Sequence, residues 1–325
     1  MSKSFKGSDF LVLAAVKLTD AKHHALGPAA ALCRRTGMRL RLISAVEVDQ
    51  FSSLQESPYD MFDFTVIGRS LGECLRAQAE DELKALAAKL DVGTPVTTSV
   101  VVSKPAQAIL SEATVSGAHF IITGAAKGSH QFVPKGMSTA LSLMMDSTLP
   151  VMVVSNACNL DLTLDRHKIL VADDLSQSSE RAVLAAFDLA AALGHTDVHH
   201  VHVNALNIET FATGAQELIR EHGSGLYKDL GPTEMWDEVQ RHLNERMRRR
   251  VPNRIQSLDL TEGQYYSEVR NGAVESELER AIEEAGADIL VFGRHHAIHR
   301  RPFAIGRVPF HFMLSQDRAL IVIPE

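Results

Sequence analysis

No apolar run in this chain approaches the roughly 20 residues of a membrane span, and the opening MSKSFKGSDF holds no apolar segment before a small-residue cleavage site. Neither a membrane protein nor an exported one is expected. Cysteine is scarce: Cys33, Cys74 and Cys158 are odd in number and widely spaced. They give no disulfide framework and point to a reducing, cytoplasmic compartment. A positive excess is lacking too, since the net charge is −7, whereas a general nucleic-acid binder needs a basic face. Catalytic signatures are also missing. No Gly-x-Ser-x-Gly elbow follows a strand-like run, and no loop ends in the Gly-Lys-Ser/Thr of a P-loop. What is left is an ordinary globular composition, 45% hydrophobic and 22% charged over 325 residues. That length suits two domains of about 150 residues each.

What is present is a doubled pattern. Residues 287–307 read ADILVFGRHHAIHRRPFAIGR: an apolar run ends at Gly293, a loop of His and Arg follows, and a second glycine, Gly306, comes after it. A short buried strand that ends in glycine and feeds a basic loop before a helix is the layout of an anion site in an open α/β sheet. A second copy stands at 118–138, AHFIITGAAKGSHQFVPKGMS, with Lys127 and Lys135 in its loop. An offset of 169 residues carries Gly117 onto Gly286 and Gly124 onto Gly293, and one of 157 carries Gly37 onto Gly194 and Val12 onto Ile169. The offsets differ by 12 residues, which places an insertion in the second copy between Leu206 and Glu262, a region that also holds a long basic helix at 233–250. Repeats of this period are tandem domains, not a solenoid.

Within each copy strand and helix patterns alternate. Phe10 to Val16 is near-continuously apolar, the mark of a strand buried on both faces. A helix over residues 25–36 stops at Gly37, and residues 39–48 read as the second strand. Residues 50–65 read as an irregular excursion. Leu71 to Leu90 carries Leu75, Ala79, Leu83 and Leu86 at three- and four-residue spacing, an amphipathic helix. The third, fourth and fifth strands are expected at 96–102, 120–123 and 151–154, with helices at 106–115 and 138–145. After a linker at 156–166 the pattern restarts with a strand at 168–172, a turn from Asp173 to Ser176 and a helix over 179–193. Domains over 1–155 and 167–325 follow, each an α/β, Rossmann-like, doubly wound parallel sheet of five strands. Each ligand crevice then lies where the first and fourth strands diverge, with Lys17 to Thr19 facing the Gly124 loop and Asp173 to Ser176 facing the Gly293 loop.

With these junctions, the repeat offsets and the apolar endings Val151 to Val154 and Leu320 to Ile323, the whole chain resembles two tandem domains of the universal stress protein family, a branch of the adenine-nucleotide α-hydrolase-like folds. The resemblance implies a stress-response protein that binds an adenine nucleotide, ATP or AMP, or another small anionic ligand, with no metal and a regulatory role. A protein-interaction scaffold with decayed sites and a weak nucleotide hydrolase are the alternatives. Nucleotide-binding members carry Gly, two residues, Gly, nine residues, Gly and then Ser or Thr after the fourth strand, with an Asp at the end of the first strand that meets the adenine. The glycines let backbone N–H groups approach phosphate. In the second copy Gly293 and Gly306 keep their places, His296 takes the middle glycine, Arg307 takes the hydroxyl position, and Asp174 is the adenine-side Asp. Ala172, Asp173, Ser176, Val203, Gly272 and Arg294 complete the expected nucleotide site. The first copy is the weaker candidate: Gly124 and Ser138 are kept, Lys17 replaces the Asp, Lys127 replaces the middle glycine, and Gly128 lies one residue out of register. Arg294, His296, Arg300 and Arg307 either replace backbone donors by charge-assisted contacts to phosphate or are solvated surface charges.

Three further features have bland readings. His200 and His202 share a strand face and His295, His296 and His299 crowd a loop, but among fifteen histidines and without a motif partner, hydrogen-bonded or solvated histidine is expected, not a metal site. The run Arg246 to Arg254 reads as a solvated helix face, and Cys33 and Cys158 read as buried or inert thiols. The fifth strands would be open apolar edges. The resemblance implies that they pair between the domains as an intrachain pseudo-dimer, and a homodimer of the whole chain also fits.

Overall fold

The computed structural model describes residues 7–20, 22–47, 64–125, 138–206, 208–214, 231–251, 265–294, 305–315 and 317–325. The first copy runs β1 (Leu11–Ala15), α1 (Leu26–Thr36), β2 (Arg39–Val46), α2 (Phe64–Ala87), β3 (Thr97–Val102), α3 (Pro105–Ser116), β4 (Phe120–Ala125), α4 (Thr139–Asp146) and β5 (Val151–Ser155). The second runs β6 (His167–Ala172), α5 (Gln177–Leu193), β7 (Thr196–Asn204), α6 (Pro232–Arg250), β8 (Tyr265–Asn271), α7 (Val274–Ala285), β9 (Ile289–Gly293), α8 (Arg307–Ser315) and β10 (Ala319–Ile323).

The chain forms two compact units, Met1–Asp165 joined by Met313–Pro324, and Arg166–Phe312. In the first, the strand order is β3-β2-β1-β4-β5 with parallel pairing throughout. The last strand of the second copy belongs to this unit: β10 pairs antiparallel with β5, Leu320 opposite Val153 and Val322 opposite Val151. Every residue of both strands is buried, so the expected pairing of the two fifth strands is present and each edge gains a partner. In the second unit the parallel order is β8-β7-β6-β9.

In both units the strands owe their burial to β-branched and aliphatic side chains covered by helices. Leu13, Ile43, Ile121 and Ile122 are fully buried in the first, and Ile169, Leu170, Val171, Ile289 and Leu290 in the second. Each such side chain contributes roughly 1.5–3 kcal/mol. The αL residues Gly37, Gly117 and Gly286 close α1, α3 and α7. The order of strands reverses between β1 and β4, and again between β6 and β9, which is where an open sheet leaves a crevice at its carboxyl ends.

Most boundaries shift by one to three residues, and one differs more. The second helix begins at Phe64, not at Leu71, and so takes in the end of the stretch read as irregular. Gly68 and Gly72 each cost a helix interior only about 1 kcal/mol, together too little to stop a helix of 24 residues. Helix α6 stands where α2 stands in the first copy, between the second and third strands. Cys33 is buried, and burial pushes its thiol up to about 12, the inert state expected of it. Among the described residues no helix is long and apolar enough to cross a membrane.

Candidate functional site

At the carboxyl ends of β6 and β9 the register sets Val171 beside Val291, so two residues later Asp173, just past the end of β6, follows beside Gly293, the last residue of β9. From Ala172 the chain turns through Asp173, Asp174, Leu175 and Ser176 into α5. The turn is built from its own side chains: the Leu175 N–H donates to Asp173 Oδ1 at 2.7 Å and the Ser176 N–H to Asp174 Oδ1 at 2.9 Å. Ser176 Oγ then caps α5 by accepting from the Ser179 N–H at 3.2 Å. Leu175 sits at φ 63°, in the left-handed region that costs a non-glycine residue roughly 1–2 kcal/mol. Its buried side chain offsets that cost.

The two aspartates have opposite environments. Asp174 is exposed, whereas Asp173 is turned inward and buried. Its carboxylate accepts from Ser179 Oγ at 2.6 Å, His200 Nε2 at 2.9 Å and Arg250 Nη1 at 3.2 Å, besides the Leu175 N–H. The other ring nitrogen of His200, Nδ1, lies 3.0 Å from the Tyr265 hydroxyl, so an Nε2–H tautomer lets the tyrosine donate to it. His202 Nδ1 donates to the Asp173 carbonyl at 2.6 Å. Burial pushes the Asp173 carboxyl up, but hydrogen bonds from His200, Ser179 and the Leu175 N–H outweigh it and hold the group below the ordinary carboxylate range. Burial likewise pushes the Tyr265 phenol up to about 12.

Strand register gives the first copy's version of this cluster. The Val16 N–H donates to the Ile43 carbonyl as the Asp173 N–H does to that of Val201, which sets Val16 against Asp173 and Leu42 against His200. Val16 and Leu42 are both buried. The second copy therefore holds a buried acid and imidazole where its own duplicate packs two aliphatic side chains.

Gly293 is explained by packing. A Cβ there would fall 2.7 Å from the Ser178 carbonyl group and 2.9 Å from the Ser179 nitrogen, so only glycine lets β9 end against the first turn of α5. At Gly124, the matching position, the nearest atom to an added Cβ is the Val154 oxygen at 4.0 Å. Arg294 follows β9 and is buried. Val203 lies near the end of β7, and the Gly272 N–H donates to the Asn204 carbonyl at 3.0 Å, closing the ends of β7 and β8 together. Gly306, at φ 92°, leads into α8. Arg307 opens that helix with its guanidinium on Glu275 of α7, at 2.5 Å and 2.8 Å. That hydrogen bond, against a smaller effect of burial, holds the Glu275 carboxyl below its ordinary range. One turn on, His311 meets Glu279 at 2.7 Å.

The structure thus brings Ala172, Asp173, Asp174, Ser176, Val203, Gly272, Gly293 and Arg294 to one end of one parallel sheet. His296, Arg300, Lys127 and Gly128 lie outside the described residues. In the first copy Lys17 pairs with Asp20 at 3.2 Å, and Ser138 Oγ is spent on capping α4 by accepting from the Leu141 N–H. Among the described residues no group of three or more His, Cys, Asp or Glu is placed to hold a metal.

Sequence reasoning missed the weight of His200, His202, Tyr265 and Arg250. The basic run corrects in part: Arg246, Arg248 and Arg249 are exposed, but Arg250 is folded under the β6–α5 turn. Arg250 lies three residues beyond Met247, which is fully buried, and that spacing puts it on the inner face of α6.

Comparison with known proteins agrees with this architecture. A model of the universal stress protein family matches residues 11–155 and again 165–309. Among solved structures, a universal stress protein from Archaeoglobus fulgidus superposes with a TM-score of 0.60 at 14% identity, over 99% of this chain and 98% of that one. A functionally unknown protein from Pseudomonas aeruginosa superposes with a TM-score of 0.56 at 14% identity, over 97% and 92%. At this identity the likeness is one of fold. A comparison of the sequence with curated proteins finds none that matches. Two family matches, one on each copy of the repeat, establish that the chain belongs to the universal stress protein family as a tandem of two such domains.

Proposed function

We propose that the second domain binds an adenine nucleotide, ATP or AMP, or a related small anion, and that the protein regulates a stress response in the cytoplasm by this binding and not by turnover. The observation that carries the reading is the division of labour in the β6–α5 turn. Asp173 is anchored inward, and Asp174 is thereby left exposed at the place where β6 and β9 diverge, the position at which nucleotide-binding members of the family carry the Asp that meets the adenine. Binding without turnover is supported by the order of the buried groups. Asp173 sits between Ser179 and His200, so the serine proton is directed to the carboxylate and His200 has no access to it as a base.

Isothermal titration with ATP, ADP and AMP tests this. Heat is expected with at least one of them, and Asp174→Ala should weaken that ligand at least about tenfold, the loss of one charged hydrogen bond. No heat with any of the three removes the reading. ATP consumption that Asp174→Ala abolishes would favour a hydrolase instead. One observation favours the scaffold alternative: Arg307, at the position of the family's phosphate-side hydroxyl, is committed to Glu275.

A further inference from the structure

The β6–α5 turn holds itself in an unfavourable shape, with Leu175 in the left-handed region. A side chain 75 residues away in sequence grips it: Arg250, the last residue of α6, donates to the carbonyls of Leu175 and Ser176, the latter at 2.5 Å. The same guanidinium reaches Asp173 Oδ1 at 3.2 Å and Ser179 Oγ at 3.3 Å. Its side chain is only 15% exposed and the Asp173 carboxylate is fully buried. A planar guanidinium with several fixed donors suits such a convergence of acceptors, which a single ammonium cannot span. The fold does not need this grip, because the first copy fills the Asp173 and His200 positions with Val16 and Leu42. Buried ions are retained at the expense of the simpler apolar solution.

We infer that Arg250 is a positioning residue for the ligand site: it latches the Asp173 to Ser176 turn from below, so that Asp174 and the Ser176 cap are presented in a fixed geometry. The inference rests on the nucleotide reading given above. It couples the last turn of α6 to the site, since ligand binding and the docking of Arg250 favour the same conformation of one loop.

The test uses the full chain and AMP, replaced by ATP or ADP if only one of those binds the parent, with the Arg250→Met and Arg250→Lys variants. Arg250→Met is expected to weaken AMP at least tenfold and to speed hydrogen exchange at the Leu175 and Ser176 amides, while exchange in the centres of β6 and β7 is unchanged. Arg250→Lys should fall between, because an ammonium keeps the charge but not the fork. Should Arg250→Met fold poorly, the triple variant Asp173→Val, His200→Leu, Arg250→Met restores the first copy's apolar pair. It should fold and still bind AMP at least tenfold more weakly than the parent. Parental affinity in Arg250→Met or in the triple variant overturns the inference alone. If the parent binds none of ATP, ADP and AMP, the nucleotide reading falls and the inference falls with it.

Discussion

Gly293→Ala is expected to destabilise the second domain by about 1–3 kcal/mol, the usual cost of forcing one methyl group into a filled space. The added carbon would lie 2.7 Å from the backbone of Ser178, and neither the helix start nor the strand end can give way without breaking other bonds. Retreat of α5 would pull Ser179 from Asp173, and retreat of β9 would strain its pairing with β6. The matching change in the first domain, Gly124→Ala, should cost less than about 1 kcal/mol, because an added carbon there meets nothing nearer than 4.0 Å. The protein has a single tryptophan, Trp236 on α6, buried in the second unit. Its fluorescence during urea unfolding reports that unit, and hydrogen exchange at the β4 and β5 amides reports the first. Equal effects of the two substitutions would contradict the packing account of Gly293.

Asp173→Ala should be costlier still, about 3–5 kcal/mol, the usual penalty for removing one partner of a buried ionic cluster. It strands His200, which is fully buried, together with Arg250 and Ser179. Adding His200→Leu and Arg250→Met, with valine at 173, should recover most of the loss, since it copies the arrangement around Val16 and Leu42. The pH dependence has a definite sign. The folded carboxyl of Asp173 is held below its ordinary value, so the unfolded chain binds the proton more readily and stability rises with pH across the interval. The contribution is complete above the unfolded value of about 3.9 and is lost as the pH falls through the folded value. Asp173→Asn should therefore flatten the acid limb of the Trp236-monitored stability curve below about pH 4. An unchanged slope would show that Asp173 does not carry that titration.

The alternation of strand and helix was open to reading because apolar runs, glycine stops and the repeat offsets all recur, and Gly37 closing α1 or Gly286 closing α7 needs only local chemistry. The start of α2 at Phe64 was not, since scattered aromatics and turn formers resemble a loop until tertiary structure decides. Gly293 was visible as a junction glycine, but the reason for it is an encounter with Ser178 more than a hundred residues earlier, which no local pattern encodes. The two adjacent aspartates show the same limit. Their sequence marks a loop at the end of a strand, and only the fold shows that Asp173 points inward to His200 while Asp174 is exposed. His200 and His202 alternate as strand residues do, yet burial on an apolar strand face is what turns that spacing into a cluster around Asp173. Arg250 looked like one more solvated charge in a basic run. Its position three residues after Met247 was the signal that set it apart from Arg246, Arg248 and Arg249.

The proposed nucleotide site lies in the second domain; in the first, Lys17 is paired with Asp20 and Ser138 caps a helix. The most direct measurement is the stoichiometry of nucleotide bound to the full chain, read by native mass spectrometry with ATP, ADP and AMP in turn. One nucleotide per chain, lost in Asp174→Ala, is the predicted result. Two per chain, or none with any of the three, would contradict it.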